Sequence, residues 1–529
     1  MQRMTGRSVV YAPSAVVATS HPLATTAGLE ALRLGGNAID AAVTAAAMLS
    51  LTEPHMTGIG GDVFAIIWLA REQKLVALNA AGRAGSLLTR EKLAARGFQQ
   101  DTQHGAMAVT VPGTLAGWDL LLRTHGRRQL SDALQPTIRC AHDGFTVTPI
   151  VAQQWAEETA FLGEDPSAAA TFLPHGTAPK AGDRFFNPDY ARTLEQIAAE
   201  GTAAFYGGAI GTRILARLAE LDGFLTLEDL RANAPTWVTP ISVPFGDVRV
   251  WELPPSNQGI AALEMLRILE PFDLGSMGHN SAPYLHHLIE AKKLAYADLS
   301  RFVGDEDHEG AVEHLLSDRF IAERRSHLDP GRALERVEPG RARMASETVY
   351  LTAADAEGNM VSLINSIYDN FGSGIVVPGT GFVLQNRGAG FTLAPGLPNT
   401  AAPGKRPFHT LLPGFVTRSD AGRETPYMSF GLTGGSMQAQ GHVQFLLNHL
   451  LFRMDVQQAI DAARFRHDGR RVVIESPVGD DVHTALTALG HDVSDDSTVT
   501  FGGSQAVVRL AQGYAAGSDP RRDGMAAGY

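Results

Sequence analysis

The chain has 529 residues, 44% of them hydrophobic and 19% charged, which gives enough apolar content for a large packed core and excludes a disordered chain. A net charge of −12, from 44 basic and 56 acidic residues, argues against nucleic acid or an anionic membrane as partner, and no basic patch with interleaved aromatics occurs. Cys140 is the single cysteine, so no internal disulfide forms; it falls in a helical pattern and reads as a buried small residue rather than a nucleophile.

Residues 1–10 carry basic side chains but no apolar stretch of signal-peptide length, so the expected address is cytoplasmic. Residues 8–18 read as a buried strand and 23–34 as a helix ended by Gly35-Gly36. Asn37 caps a second, alanine-rich helix over 38–51. Its longest apolar run, 41–51, is too short to span a bilayer, which leaves no membrane partner. Glu53-Pro-His-Met-Thr-Gly-Ile-Gly-Gly-Asp62 follows, and then a strand over 63–69. A Gly-rich loop cradles phosphate when a helix follows; here a strand follows, so close backbone packing is the better reading. Residues 75–79 read as a strand, and 114 onward as a helix. The stretch 150–235 reads mostly as helices, at 151–161, 188–198 and 208–219. Residues 241–253 read as two strands around Phe245-Gly-Asp247, and Pro254-Pro-Ser-Asn-Gln-Gly259 leads into a helix.

Residues 288–301 form a strong helical pattern. His286 and Glu290 lie four apart on it, but the pair shows no third ligand, and no His-Glu-x-x-His occurs. No metal and no cofactor is expected. Residues 311–345 are charged and apolar-poor and read as a loose connector. The chain then turns strand-rich up to Phe391, with a hairpin of 349–354 and 360–367 around Glu357-Gly-Asn359. A strand at 428–432, Thr433-Gly-Gly-Ser436, a helix near 440–452 and another from Asp455 complete the pattern. Pattern alone gives one large α/β or α+β unit.

Thr348 stands where the connector meets the core strand. Locally it is a threonine that starts a strand. A chain cut between Glu347 and Thr348 would instead present a hydroxyl nucleophile and its own base, the freed α-amino group, on one residue. That amine titrates at about 7.7–8.0, so a useful fraction is unprotonated near neutrality.

The segment from Glu347 to Phe391 resembles the start of the small subunit of the gamma-glutamyltransferase family, whose members are N-terminal nucleophile hydrolases. Thr348, Asp355-Ala-Glu-Gly-Asn359, Phe371-Gly-Ser-Gly374 and Gly381-Phe-Val-Leu384 carry the resemblance. Gly35-Gly-Asn-Ala-Ile-Asp-Ala-Ala42, Val111-Pro-Gly-Thr-Leu-Ala-Gly-Trp118 and the C-terminal stretch 517–529 extend it along the chain. It implies an α+β four-layer αββα sandwich. It also implies self-cleavage into a large subunit, 1–347, and a small catalytic subunit, 348–529, and leaves a dimer of these heterodimers open. The substrate implied is a small-molecule amide, attacked by Thr348 through an acyl-enzyme. Gly434 and Gly435 match the glycine pair whose amides stabilise the oxyanion. Ser366 matches a hydroxyl that bonds the nucleophile, and Thr352 shares its strand face by period two.

The pocket departs from the family. The aspartate that holds a γ-glutamyl α-amine is replaced by Gly390, and the serine pair after Lys405-Arg-Pro by His409 and Thr410. Tyr368 replaces an asparagine, and the usual arginine is displaced to Arg83. Asn386 and Arg387 complete the expected binding set. An oxamate- or glutaryl-type donor is favoured over γ-glutamyl hydrolysis or transfer. An unprocessed, non-enzymatic scaffold is the alternative from another class.

Overall fold

The computed structural model describes residues 6–99, 103–305, 308–335, 348–420, 422–496 and 498–529. Two seven-stranded sheets form its centre. One runs, in spatial order, Met525–Gly528, Val16–Thr19, Val349–Ala354, Met360–Ser366, Asp62–Leu69, Lys74–Ala80 and Thr236–Val238. The other runs Val10–Ala12, Tyr514–Ser518, Ser504–Arg509, Arg423–Leu432, Pro413–Asp420, Val248–Glu252 and Ile241–Phe245.

Period-two alternation sorts the strand residues into three apolar layers. Val16, Phe64, Ile66, Tyr350 and Ile364 of the first sheet meet Phe415, Val507 and Ala516 of the second between the sheets. The intervening residues Val63, Ala65, Leu351 and Leu363 face the helices Pro22–Arg33, Ala38–Thr52, Thr114–His125 and Leu130–Asp143. Val250, Val416, Met428 and Ala506 face Gly259–Leu269, Ala282–Phe302 and Met437–Leu450 on the far side. The architecture is therefore the four-layer αββα sandwich, an α+β fold. No described helix is long and apolar enough to cross a membrane.

Two polar devices fix the hairpin that begins at Val349. Asp355 Oδ1 accepts from the amides of Glu357 and Asn359, each at 3.0 Å, which closes the turn through Gly358 at φ 91°. Asp355 Oδ2 accepts from Ala38 N at 2.9 Å, so the turn docks on the start of Ala38–Thr52. That helix carries a capping box: Asn37 Oδ1 accepts from Ile39 N and Asp40 N, and Asp40 Oδ2 accepts from Asn37 N at 2.7 Å.

Several sequence expectations shift. Residues 8–18 form two short strands in different sheets rather than one, because Pro13 and Ser14 break the run and the chain crosses the sandwich there. The connector is half helical, with His308–Leu315 and Asp318–Ser326 packed through Leu315, Phe320 and Ile321. The strand-rich stretch ends at Ser366; residues 367–412 are mostly irregular, wrapped through left-handed turns at Gly372, Gly374, Gly379 and Gly381. Cys140 is half-buried in Leu130–Asp143, and burial pushes its thiol up to about 11, which keeps it protonated and inert.

Candidate active site

Strand register brings the site together. Val349 pairs with Asn365 and Ser366 pairs with Asp62, so position 348 falls opposite Ser366 at the end of three adjacent strands. Thr348 is fully buried, and its Oγ1 makes no hydrogen bond among the described residues. Other buried hydroxyls, those of Thr57 and Thr137 among them, share that condition, so it shows only that Thr348 Oγ1 is not committed to a described neighbour. Glu347, the other half of the expected cleavage site, lies outside the described residues.

The loop 53–62 does what its glycines suggested. A Cβ on Gly60 would lie 2.1 Å from Val383 O, and one on Gly61 2.2 Å from Ser366 O. Backbone therefore packs on backbone beside Ser366, as no other residue type permits. The loop also delivers Asp62, a residue the sequence reading left out of the site. Its Oδ1 accepts from Gly82 N, Gly113 N and Gln385 Nε2 at 3.0–3.1 Å, and its Oδ2 from His409 Nε2 at 3.0 Å. His409 Nδ1 accepts from Leu411 N at 3.3 Å, which sets the tautomer and leaves the proton on Nε2. Burial, reinforced by the nearby Arg387 charge, holds His409 down at about 3 despite Asp62. The imidazole is neutral at working pH and serves as a fixed donor.

Arg387 is the dominant electrostatic feature. It is fully buried, and its Nη1 donates to Thr410 Oγ1 at 3.1 Å and its Nη2 to Ser366 Oγ at 3.3 Å. The guanidinium lies 4.3 Å over the Tyr368 ring. Its Nε has no partner, and no carboxylate forms an ion pair with it among the described residues. Burial brings its pKa down to about 10, so it stays charged near neutrality. Tyr368 itself sits at φ 84°, a rare conformation for a side-chain-bearing residue, held by donation of its N–H to Ser366 Oγ at 2.8 Å.

Gly434 and Gly435, at φ 103° and 58°, lie between Arg423–Leu432 and Met437–Leu450. Their carbonyls accept from Met437 N and Gln438 N, while neither glycine N–H donates to a described group. Both amides are thus uncommitted among the described residues.

Other expected residues are spent elsewhere. Thr352 Oγ1 bonds Ser429 Oγ at 2.6 Å between the two sheets, so it ties the sandwich rather than lining a pocket. Arg83 is 48% exposed and donates to Asp305 and Gly404 O, each at 2.9 Å; it fastens surface loops rather than presenting a buried anion site. Asn386 holds Asp369 and Gln103 O through its amide, which makes it a wall of the site. At Gly390 a Cβ would lie 2.7 Å from Phe408 O, so the family's aspartate is excluded sterically as well as absent.

The His286–Glu290 pair also needs correction. It is buried, and His491 supplies a third group, with its ligand atom within 4.8 Å of the others. Both carboxylate oxygens are already used: Lys293 Nζ donates to Glu290 Oε1 at 2.6 Å and Leu334 N to Oε2 at 2.9 Å. His286 Nδ1 bonds His491 Nε2 at 2.8 Å. Lysine already supplies the cation this carboxylate needs.

The gamma-glutamyltranspeptidase family model matches residues 24–529. The glutathione hydrolase-like YwrD proenzyme of Bacillus subtilis is 34% identical, over 97% of this chain and 98% of its own. The oxamate amidohydrolase proenzyme of Klebsiella pneumoniae is likewise 34% identical, over 96% and 97%. The crystal structure of cephalosporin acylase from Bacillus halodurans superimposes with a TM-score of 0.92 at 40% identity, covering 100% of this chain and 98% of that one. The chain belongs to the gamma-glutamyltranspeptidase family, as a hydrolase or acyltransferase acting on amide bonds.

Proposed function

We propose that this protein is a self-processing N-terminal threonine amidohydrolase or acyltransferase whose acyl donor carries a free carboxylate and needs no α-amine. The observation that carries the reading is Arg387: a buried guanidinium beside Ser366 that no carboxylate contacts as an ion pair among the described residues, Asp62 and Asp369 acting on it only from farther off. Burial outweighs the distant Asp62 and Asp369 and still brings the guanidinium pKa down to about 10, so an anion in direct contact is the natural complement. Gly390 offers nothing to an ammonium, and Phe408 O leaves no room for a side chain that would.

In maturation, Thr348 Oγ attacks the Glu347 carbonyl carbon. The Glu347–Thr348 amide is exchanged for an ester, the Thr348 nitrogen leaves as an amine, and water hydrolyses the ester. The products are a 1–347 chain ending in a carboxylate and a 348–529 chain beginning with threonine. The relatives' names as proenzymes support this step. In turnover, the freed α-amine takes the Oγ proton as Oγ adds to the donor's carbonyl. The amides of Gly434 and Gly435 receive the oxyanion. The leaving amine departs protonated, and water or an acceptor amine releases the acyl group. Arg387 holds the donor's distal carboxylate through two parallel N–H···O bonds.

Glutaryl amides and short oxo-acid amides such as oxamate fit this description. The second reading, γ-glutamyl hydrolysis or transfer, draws on the glutathione hydrolase-like relative and would need another anchor for the α-amine. A panel of γ-glutamyl, glutaryl and unsubstituted acyl anilides, with ammonia release from oxamate, separates the two.

A further inference from the structure

The Thr433-Gly-Gly-Ser436 loop is held at both ends. Thr433 N donates to Gly503 O at 3.0 Å, and Thr433 Oγ1 accepts from Gly503 N at 2.9 Å. At the other end Gly435 O accepts from Gln258 Nε2 at 2.8 Å, and Ser436 O accepts from the Tyr296 hydroxyl at 2.5 Å. Gln258 and Tyr296 lie before the proposed cleavage point and the loop after it, so these bonds join the two prospective subunits.

Gln258 has a second contact. The same Nε2 donates to Thr410 O at 2.7 Å, and Thr410 Oγ1 is the acceptor for Arg387 Nη1. One nitrogen, 1% exposed as a residue, thus links the loop with the oxyanion amides to the wall that holds the guanidinium. Tyr296 OH lies 3.4 Å from Gln258 Oε1, which keeps that oxygen turned away and both N–H bonds turned toward the carbonyls. A buried glutamine satisfied by backbone is ordinary. This one is distinguished by the two carbonyls it joins, which belong to the two loops that must hold opposite ends of one acyl group. An amide suits this place: a carboxylate has no N–H to donate, and an apolar side chain leaves both links open.

We infer that Gln258 is a positioning residue that fixes the Gly435–Ser436 peptide plane and sets the separation between the oxyanion amides and Arg387, and with it the acyl length that reacts. This rests on reading Gly434 and Gly435 as the oxyanion donors.

The test uses Gln258→Met, close in volume but without donors, and Tyr296→Phe, which keeps the ring that lies 4.1 Å beneath the Lys292 ammonium. Mature enzymes are assayed on malonyl, succinyl, glutaryl and adipyl anilides, with Gly435→Ala in parallel. Gln258→Met is expected to lower kcat on the preferred length by about 10²-fold, the usual effect of misplacing reacting groups by an ångström. KM should stay within about threefold, a split that removal of uniform binding would not give. The length preference should flatten. Tyr296→Phe should shift both readouts in the same direction by less, and it decides the matter if Gln258→Met does not mature. Unchanged kcat, or a loss equal at every chain length, alongside an impaired Gly435→Ala overturns the inference alone. Normal turnover by Gly435→Ala overturns the oxyanion assignment and this inference with it.

Discussion

Replacing Arg387 by methionine separates recognition of the donor from the chemistry. The guanidinium offers its Nε–H and the remaining N–H of each η nitrogen to an incoming carboxylate, while Thr410 and Ser366 supply only neutral acceptors. A charged hydrogen bond contributes roughly 1.5–3 kcal/mol, and two such bonds to one carboxylate give about 3–6 kcal/mol. At 1.36 kcal/mol per tenfold, kcat/KM for a glutaryl anilide should fall by about 10²- to 10⁴-fold in Arg387→Met. The matched butyryl anilide, with no distal carboxylate, should change by less than about threefold. Stability should move the other way. The ligand-free protein buries a cation that no described carboxylate contacts as an ion pair, and burial outweighs the distant Asp62 and Asp369, so methionine should leave the thermal midpoint unchanged or raise it. Glutarate should raise the midpoint of the wild type and not of the variant. The sign with pH follows from a folded-state pKa of about 10, below the usual arginine value. The charge that captures the carboxylate is present throughout the neutral range and is lost as pH rises through about 10, and the advantage of glutaryl over butyryl should vanish with it. Equal losses on both anilides, or a steep fall in thermal midpoint without ligand, would refute the assignment of Arg387 as the carboxylate receptor.

Gly435→Ala places a side chain at φ 58° next to an oxyanion amide and should lower kcat by about 10²- to 10³-fold, as loss of one such donor does, with a far smaller change in KM read from steady-state kinetics. Gly390→Asp should not install a γ-glutamyl preference; its Cβ meets Phe408 O, and over-packing of about 1–3 kcal/mol should appear as a lower thermal midpoint. Asp62→Asn removes a carboxylate that accepts four hydrogen bonds, so it should lower the midpoint by several degrees and slow maturation, as followed by denaturing gel. The pH profile of kcat/KM on glutaryl anilide should rise through about 7.7–8.0 with the Thr348 amine, and no limb should come from His409, which stays neutral above about 3.

The features legible in the sequence were those whose cause is local. Asn37 and Asp40 stand three residues apart and cap the same helix turn. Asp355, Gly358 and Asn359 close one tight turn, so that motif reveals a hairpin and its docking, while its part in the site is indirect. The glycines at 60–61 pointed to close backbone approach, without naming what approaches. Features set by long-range partners stayed hidden. Asp62 meets His409 across 347 residues and Gln258 meets Gly435 across 177. Nothing in either local pattern names those partners; Pro254-Pro-Ser-Asn-Gln-Gly259 reads only as the entry to a helix. Arg83 and Arg387 were equal candidates as sequence; burial separates them, since one lies at the surface on Asp305 and the other is wholly enclosed, with Asp62 and Asp369 near it but no described carboxylate in ion-pair contact. Thr352 obeyed the right periodicity, but that face of the strand leads into the space between the sheets, where Ser429 takes its hydroxyl.

The central claim is that Thr348 becomes an N-terminal nucleophile. Intact-mass measurement and N-terminal sequencing of the purified, denatured protein test it most directly. The account predicts two chains, 1–347 and 348–529, with the smaller beginning at Thr348, and a single uncut, inactive chain for Thr348→Ala. A small chain with a different first residue, or full activity in a protein that remains one chain, would contradict it.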